Sequence, residues 1–439
     1  MTRLEDVMQA AVDTGAVPGL VALAADGDDV QVVAVGQHDT EGTAAMTRDS
    51  VFRVASITKP ITAALTMMLV EDGRLALDAE VRTWLPELAH PTVLKDWTGP
   101  LDDVLPAERP ITVRDLLTFR SGHGFPADFS VPVVDALMNR VHQGPPNPQR
   151  VPPPDEWLAE LATVPLLHQP GRGWTYNTGS DILGVLLARA ADQPLPELLA
   201  ERVCEPLGMV DTGFSVPAGS LGRVPSYYQA DGDSGGLALL DGPDGQWASP
   251  PAFPSGAGGL VSTADDWFRF ARLLLDDGVV GGRRLLRPES IAQMTTDHIG
   301  DQDRGPGGDV FLDGQGWGFG GGVDTHVTEP AASRPLRLGG WHRYLGLPAP
   351  ADPVGADLPE PGAAGWTDLY RGDELVLAGH RAGLTAWGRP GRLSYRAAGC
   401  GTRRAPAARA WSAGRHRGPG GAPGAASPAA GPGCGRGSR

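Results

Sequence analysis

The amino-acid sequence predicts an α+β fold, in which an antiparallel sheet is flanked by helices and carries an inserted, mostly helical region. Three observations support this prediction. Two β-rich runs around a Gly/Asp turn at residues 20–39 predict an early hairpin. Apolar residues at helical spacing fill the middle of the chain, and brief strand-like runs follow Gly316. The late strands could return to the early hairpin and complete one sheet.

The first helices are placed by their apolar periods and their ends. Residues 1–20 have an apolar period near 3.6 that is interrupted by charges, which predicts an amphipathic helix ending near Val17 and not a signal peptide. A second helix begins at Ser56 and ends at Gly73, since Pro60 is tolerated in a first helical turn. A third begins after Thr112, a residue type that favours the N-cap.

Three more helices follow along the chain. Two of them are separated at Gln193-Pro194, and the last is capped by either Ser262 or Thr263. The mostly helical region is predicted to span about residues 82–245.

The composition indicates a globular protein with a distinct C-terminal segment. The chain has 439 residues and a formal net charge of -15, which argues against nucleic acid or an anionic membrane as a partner. After Glu374 there is no acidic residue but there are eleven arginines, and from about Ala397 large apolar residues almost vanish. We predict one domain over residues 1–396 and a disordered tail over 397–439. Because no apolar run reaches roughly 18–20 residues and no leader is visible, a cytoplasmic protein without membrane contact is expected.

One local pattern suggests chemistry. Ser56 and Lys59 are three residues apart at the head of a predicted helix, so their side chains share one face. Lysine occurs only twice in the chain, which otherwise uses arginine for positive charge. A desolvated, neutral lysine can take a proton from a serine hydroxyl, which arginine cannot do. The pair is either a nucleophile with its base, or an N-cap serine followed by a surface lysine.

Five segments together resemble the serine hydrolases related to class C β-lactamases, a group that includes penicillin-binding DD-peptidases and lactamase-like carboxylesterases. The Ser-x-x-Lys segment is VFRVASITKPITAALTMMLV (51–70). The others, in family order, are ITVRDLLTFRSG, PGRGWTYNTGSDILGVLLARA, CEPLGMVDTGF and SGAGGLVSTADDWFRFARLLLDDG. The resemblance covers about residues 5–330 and implies a β-lactamase/transpeptidase-like fold.

The resemblance also implies roles for single residues. Ser56 would attack an ester or amide carbonyl, and Lys59 and Tyr176 would transfer the proton, although Tyr176 taken alone could be a loop tyrosine packed on its neighbours. In the family's Tyr-x-Asn pattern Thr178 takes the usual asparagine place, whereas alignment from the helix side selects Asn177, so both are candidates for substrate binding. The substrate would be a small ester or amide. Carboxylesterase-like activity is favoured over β-lactamase activity, because lactamases act outside the cytoplasmic membrane.

No cofactor or metal is predicted. The three cysteines, Cys204, Cys400 and Cys434, form neither a disulfide framework nor a zinc site, and the histidines lack ligand spacing. Glycines 316, 318 and 321 match G-x-G-x-x-G, but no long strand precedes them, so a dinucleotide site is not expected. These patterns leave the oligomeric state open.

One family motif is missing. A late strand should carry Lys, His or Trp, then any residue, then Gly, and its backbone N–H completes the oxyanion hole together with that of the serine. The sequence at the expected distance is RPLRLGGWHRYLGLPAP (334–350), which has no such match. Trp341-His342-Arg343 lacks the glycine, and His380-Arg381-Ala382-Gly383 has the wrong spacing. The C-terminal strands are therefore expected to be abnormal.

A change of reading frame in the gene would explain both this gap and the acid-free end of the chain. Shifting plausible GC-rich codons for residues 335–346 by one nucleotide gives a run such as RCGWAGGTGTSG, which resembles the family's Trp-x-Gly strand. Genomic DNA in which no alternative frame encodes Trp-x-Gly-Gly would exclude this hypothesis. Two functions follow from the sequence: an active serine hydrolase, or an impaired or non-catalytic ligand-binding relative of the same fold.

Overall fold

The computed structural model describes residues 3–15, 17–230, 236–300, 304–312 and 315–323, and the backbone of three later strands at 336–339, 374–379 and 384–386. The helices are α1 (Arg3–Asp13), α2 (Thr58–Glu71), α3 (Val113–Leu117), α4 (Pro132–Asp135), α5 (Pro154–Leu161), α6 (Thr178–Ala191), α7 (Leu195–Leu199), α8 (Glu205–Leu207), α9 (Ala264–Leu275), α10 (Pro288–Met294) and α11 (Gly305–Phe311). The strands are β1 (Gly19–Asp26), β2 (Asp29–Gly36), β3 (Phe52–Arg53), β4 (Thr92–Leu94), β5 (Val104–Pro106), β6 (Tyr227–Ala230), β7 (Leu237–Asp241), β8 (Val261–Ser262), β9 (Val279–Val280), β10 (Arg283–Arg284), β11 (Gly316–Trp317), β12 (Gly322–Val323), β13 (Leu336–Gly339), β14 (Glu374–Gly379) and β15 (Leu384–Ala386).

The chain divides into residues 1–393 and 394–439, and every described residue belongs to the first unit. The predicted tail at 397–439 lies outside the described residues. In the described part, no helix has both the length and the apolar character needed to cross a membrane. The cytoplasmic location stays a prediction.

The predicted helices are present, but α2 begins at Thr58 and not at Ser56, because Ser56 lies in a 3-10 turn. Side-chain caps set the first residues of α3 and α9. The Thr112 hydroxyl accepts a hydrogen bond from the Asp115 N–H, and the Asp115 carboxylate accepts one from the Thr112 N–H, which makes a capping box at the start of α3. At α9 the N-cap is Thr263, whose hydroxyl accepts from the Asp266 N–H. Ser262 cannot serve as the N-cap because it belongs to strand β8.

Helix α2 is the central helix of the core. Its residues from Thr58 to Leu69 are all buried, and α6 packs along it. Because burial extends all round α2, other elements enclose this helix on every side. Each fully buried leucine, isoleucine or methionine contributes about 1.5–3 kcal/mol, so α2 is a well-anchored base for the residues at its N-terminal end.

Strands β1 and β2 form the predicted hairpin, and a late strand returns to it. Strand β14 pairs antiparallel with β1, from Leu20 opposite Gly379 to Ala25 opposite Glu374. A second sheet has the order β11-β12-β13-β15. The late strands therefore divide between the early hairpin and a sheet of their own.

Two hairpins inside the mostly helical region were not predicted. Strand β4 pairs with β5, and β6 pairs with β7. These strands have three to five residues each, which is too short for an alternating pattern to stand out, and Pro106 is part of β5.

The pairing of β3 with β8 brings two distant segments to one place. Phe52 lies opposite Ser262 in antiparallel register. Strand β3 leads into the turn at residues 55–57, whereas β8 follows the segment at residues 255–259. Since the two strands are antiparallel, both segments lie at the same end of the pair, beside the start of α2.

Candidate active site

Ser56 lies in a tight turn between a strand and a helix. The 3-10 turn Ala55–Ile57 joins β3 to α2, and Ala55 has a φ of +43°, which residues with a side chain rarely adopt. The turn places Ser56 just ahead of α2, where unpaired backbone N–H groups favour negative charge. Its side chain is only 7% exposed. Ser56 is therefore a buried hydroxyl in an electropositive position.

Lys59 is buried beside Ser56. It is 1% exposed, and its Nζ donates to Ser56 Oγ at 3.1 Å and to the Ala257 carbonyl at 2.7 Å. Burial lowers the pKa of Lys59 from 10.5 to about 7, and the charge of Asp181 opposes this shift. Near neutral pH a large share of Lys59 is then a neutral amine, which can act as a base. The alternative of an ordinary surface lysine is wrong.

Tyr176 approaches Ser56 from the segment before α6. Its hydroxyl donates to Ser56 Oγ at 3.1 Å, and its ring centroid lies 4.8 Å from Lys59 Nζ. The backbones of Tyr176 and Phe125 exchange two hydrogen bonds, of 2.9 and 3.0 Å, and the ring of Phe311 stacks on the tyrosine ring at 4.8 Å. These contacts fix the position of the phenol beside Ser56 and Lys59.

The structure separates the two candidates for substrate binding. Asn177, with a φ of +84°, lines the same cavity as Ser56. Thr178 is fully buried and is not among the residues that line that cavity. Both side chains donate to Gln143 Oε1, at 3.2 Å from Asn177 and 2.9 Å from Thr178. The geometry thus favours Asn177 for contact with a ligand and gives Thr178 a supporting position.

The segment at residues 255–259 passes closely between α2 and α6. Thr62 of α2 donates to the Gly256 carbonyl at 2.8 Å. A Cβ atom on Gly256 would lie 2.4 Å from the carbonyl oxygen of Ser180, so this close approach requires glycine. This close packing brings the Ala257 carbonyl within hydrogen-bond distance of Lys59.

Asp181 is a buried carboxylate that the sequence analysis did not select. Its Oδ1 accepts from Ser255 Oγ at 2.6 Å and from the Ala257 N–H at 3.0 Å, and its Oδ2 accepts from Gln143 Nε2 at 2.7 Å. Burial raises the pKa of Asp181, while these donors and Lys59 act in the opposite direction. In the sequence Asp181 is indistinguishable from an acidic residue in the first turn of a helix.

A narrow cavity of about 40 Å³ opens onto Ser56, Asn177 and Asp181. Its outer wall is largely proline and apolar, formed by Pro145, Pro146, Pro148, Val151 and Phe253. Gln143 precedes these prolines and is itself buried. Its hydrogen bonds to Asp181, Asn177 and Thr178 therefore anchor the proline-rich loop beside the nucleophile.

Strand β13 packs against the turn that carries Ser56. It lies where the sequence analysis looked for the family's late strand. Its last three residues are Arg337-Leu338-Gly339, which have the motif's spacing with arginine in the first position. The two weaker candidates, 341–343 and 380–383, lie outside the described residues.

Comparison with known proteins decides the family. A family model described as Beta-lactamase matches residues 4–332. The chain belongs to the beta-lactamase family. The predicted β-lactamase/transpeptidase-like fold and the family resemblance are thereby confirmed, and membership supports a hydrolase with the serine beta-lactamase fold.

Three similar members of the beta-lactamase family illustrate its range. Protein Rv1367c of Mycobacterium tuberculosis (strain ATCC 25618 / H37Rv) is 42% identical over 327 residues, covering 74% of this chain and 78% of that protein. Esterase EstB of Burkholderia gladioli is 32% identical over 365 residues, covering 79% of this chain and 84% of that protein. The solved structure of EstCE1, described as a hydrolase with promiscuous acyltransferase activity, is 27% identical with a TM-score of 0.60, covering 76% of this chain and 86% of that chain.

Proposed function

We propose that this chain is a serine esterase that cleaves esters of small carboxylic acids through an acyl-enzyme on Ser56. The observation that carries the proposal is the meeting of three groups in one buried site. Lys59 Nζ and the Tyr176 hydroxyl each lie 3.1 Å from Ser56 Oγ. The names of EstB, an esterase, and EstCE1, a hydrolase, support an ester substrate.

Acylation follows from this geometry. As Ser56 Oγ attacks the ester carbonyl carbon, its proton passes to the neutral amine of Lys59, and the carbonyl electron pair moves onto oxygen. When that pair returns, the bond to the leaving alkoxide breaks, and the alkoxide takes a proton from the Tyr176 hydroxyl, which regains one from the Lys59 ammonium. The products of this half-reaction are a free alcohol and an ester of Ser56.

Deacylation uses the same groups in reverse. A water molecule gives its proton to the Lys59 amine as it attacks the Ser56 ester. The acid is released when Ser56 Oγ recovers a proton from Tyr176, which regains one from the Lys59 ammonium. The oxyanion in both steps would be stabilised by the backbone N–H of Ser56 and by one from β13, which packs against that turn.

The size of the cavity favours small acyl groups. Its volume of about 40 Å³ is far below the roughly 300–1,000 Å³ of pockets that enclose drug-sized ligands. Pro146 and Gly258 both line it and lie close together, since a Cβ on Gly258 would be 3.2 Å from the proline ring. An acetyl or propionyl group suits this space better than a long chain.

The experiment that tests the proposal is detection of the acyl-enzyme. Mixing the protein with excess p-nitrophenyl acetate should release a burst of one p-nitrophenolate per chain, followed by slower turnover. Quenched samples should gain the mass of one acetyl group, located by peptide mapping on the peptide that contains Ser56. A label on another peptide, with none on Ser56, would contradict the proposal.

A second candidate function is a non-catalytic or impaired ligand-binding relative. The observation that favours it is that the family match ends at residue 332, before β13. A frame change beyond that point, if present, would have removed the family's own oxyanion strand. If the folded protein shows neither the burst nor the acetyl label, the ligand-binding candidate is selected over the esterase.

Replacing Tyr176 by phenylalanine is expected to lower kcat/KM for p-nitrophenyl acetate by about 10²–10⁴-fold, because the phenol transfers protons in both half-reactions. Tyr228→Phe is the matched control. Tyr228 is as buried as Tyr176, and its hydroxyl accepts from the Thr40 N–H at 3.1 Å. Steady-state kinetics should show near wild-type activity for Tyr228→Phe. Equal losses in the two variants would mean that Tyr176 acts only through packing.

A further inference from the structure

The carboxylate of Asp181 is fully committed to hydrogen bonds behind the reacting groups. Both oxygens accept, from Ser255, Ala257 and Gln143, as an ionised carboxylate requires. Asp181 is 3% exposed. A buried negative charge is costly unless donors and a cation compensate it.

The hydrogen bonds of Asp181 lead directly to Lys59. The carboxylate holds the Ala257 N–H at 3.0 Å, and the carbonyl of the same residue accepts from Lys59 Nζ at 2.7 Å. Ala257 is thus fixed on one side by the carboxylate and on the other by the amine. Since Lys59 also donates to Ser56, displacement of Ala257 would change the direction of the amine toward the nucleophile.

The charges around Asp181 come from few elements. Lys59 faces it from α2, and exposed His142 lines the same cavity from the loop. Tyr176 also faces Lys59, with its ring centroid 4.8 Å from Nζ. Among the described groups that act on Asp181, Lys59 is the cation.

We propose that Asp181 is a positioning residue for Lys59, holding the Ala257 carbonyl that receives the amine and supplying a fixed negative charge beside it. Gln143 completes the unit by joining this carboxylate to the proline-rich loop. The inference deepens the proposed esterase mechanism and rests on it. A purely structural role, as a helix-end acid that ties segment 255–257 to α6, is the alternative that the experiment must separate.

Two variants separate charge from hydrogen bonding. Asp181→Asn keeps an acceptor for Ser255 and Ala257 but turns an amide donor toward the Gln143 donor. Adding Gln143→Glu restores that contact, because the new carboxylate accepts from the residue-181 amide and from Asn177 and Thr178. The double variant therefore rebuilds the network while moving the negative charge from position 181 to position 143.

The readout is the titration of Lys59 itself in the full chain. The protein contains only two lysines, so labelling lysine with ¹³C at Cε gives two signals, assigned with Lys95→Arg. Lys95 has a side chain that is 55% exposed and serves as the internal reference. Removing an opposite charge close to an ammonium destabilises its charged form by about 1–3 pH units. In Asp181→Asn the Lys59 midpoint should fall by about one pH unit or more, with Lys95 unchanged.

The double variant decides between the two roles. A Lys59 midpoint that stays below wild type in Asp181→Asn/Gln143→Glu supports the proposal. A wild-type midpoint in the double variant, or in Asp181→Asn alone, overturns it in favour of a structural role. If Asp181→Asn does not fold, the double variant is compared with wild type by the same criterion. The titration needs no substrate, so it is independent of the acetyl-labelling test, whose failure would overturn the esterase but not the Asp181–Lys59 coupling.

Discussion

Replacing Ser56 by alanine is expected to abolish ester hydrolysis, with a loss in kcat/KM on the order of 10⁶-fold. The reason is that Oγ forms the bond to the acyl group, and no neighbouring group can replace it. Lys59 Nζ and the Tyr176 hydroxyl each lie 3.1 Å from this oxygen, and neither can form the acyl ester in its place. The burst and the acetyl label should vanish together, as measured with p-nitrophenyl acetate and by mass spectrometry.

The matched control for this variant is Ser50→Ala. Ser50 is also fully buried, and its hydroxyl contacts His38 Nε2 at 3.0 Å and accepts from the Thr47 N–H at 3.0 Å. Its loss should cost about 1 kcal/mol in the free energy of unfolding and leave kcat/KM nearly unchanged. Ser56→Ala should unfold close to wild type. Hydrolysis that survives in Ser56→Ala would place the nucleophile elsewhere.

The parts of the site that are local in sequence could be predicted. Ser56 and Lys59 are three residues apart, and the 3-10 turn that holds Ser56 runs directly into α2, so the short spacing brings the two side chains together. Burial of Lys59 has no such local signal, because Thr62 and Thr66 are spaced to share one side of the helix with it, which would equally suit an exposed polar face. Tyr176 came from the family resemblance, since nothing in its own segment marks it.

The rest of the site depends on contacts between distant segments. Asp181 acts through Ala257, 76 positions away, and the contribution of Ala257 is a backbone carbonyl, which every residue has. Gln143 begins a proline-rich loop, where its burial has no periodic signal. The choice between Asn177 and Thr178 required the cavity itself, which Asn177 lines and Thr178 does not. No pattern in a single sequence encodes these pairings.

The pH dependence of hydrolysis should report Lys59. Because burial lowers its pKa to about 7, the amine is protonated and unable to accept the Ser56 proton below that value. The kcat/KM of the wild type should therefore fall about tenfold per pH unit below pH 7 and level off above it. Rates are measured at a wavelength where absorbance does not depend on ionisation of p-nitrophenol.

Lys59→Met is expected to lower kcat/KM by about 10²–10⁴-fold and to remove the limb near pH 7, since methionine keeps the unbranched stem but has no basic nitrogen. Lys95→Met, at the exposed second lysine, should keep both the rate and the limb. If kcat/KM of Lys59→Met still falls below pH 7, that fall belongs to another titrating group.

The stability of Lys59→Met provides a check that does not depend on catalysis. Between pH 7 and 10.5 the unfolded wild-type chain binds a proton at Lys59 that the folded chain does not, so folding of the wild type becomes more favourable as pH rises through this window. The variant lacks this linkage. The difference in free energy of unfolding, variant minus wild type, should therefore be largest near pH 7. Above pH 7 it should decline by up to about 1.4 kcal/mol per pH unit, as measured by urea denaturation. A difference independent of pH would mean that Lys59 keeps an ordinary pKa and cannot be the base near neutral pH.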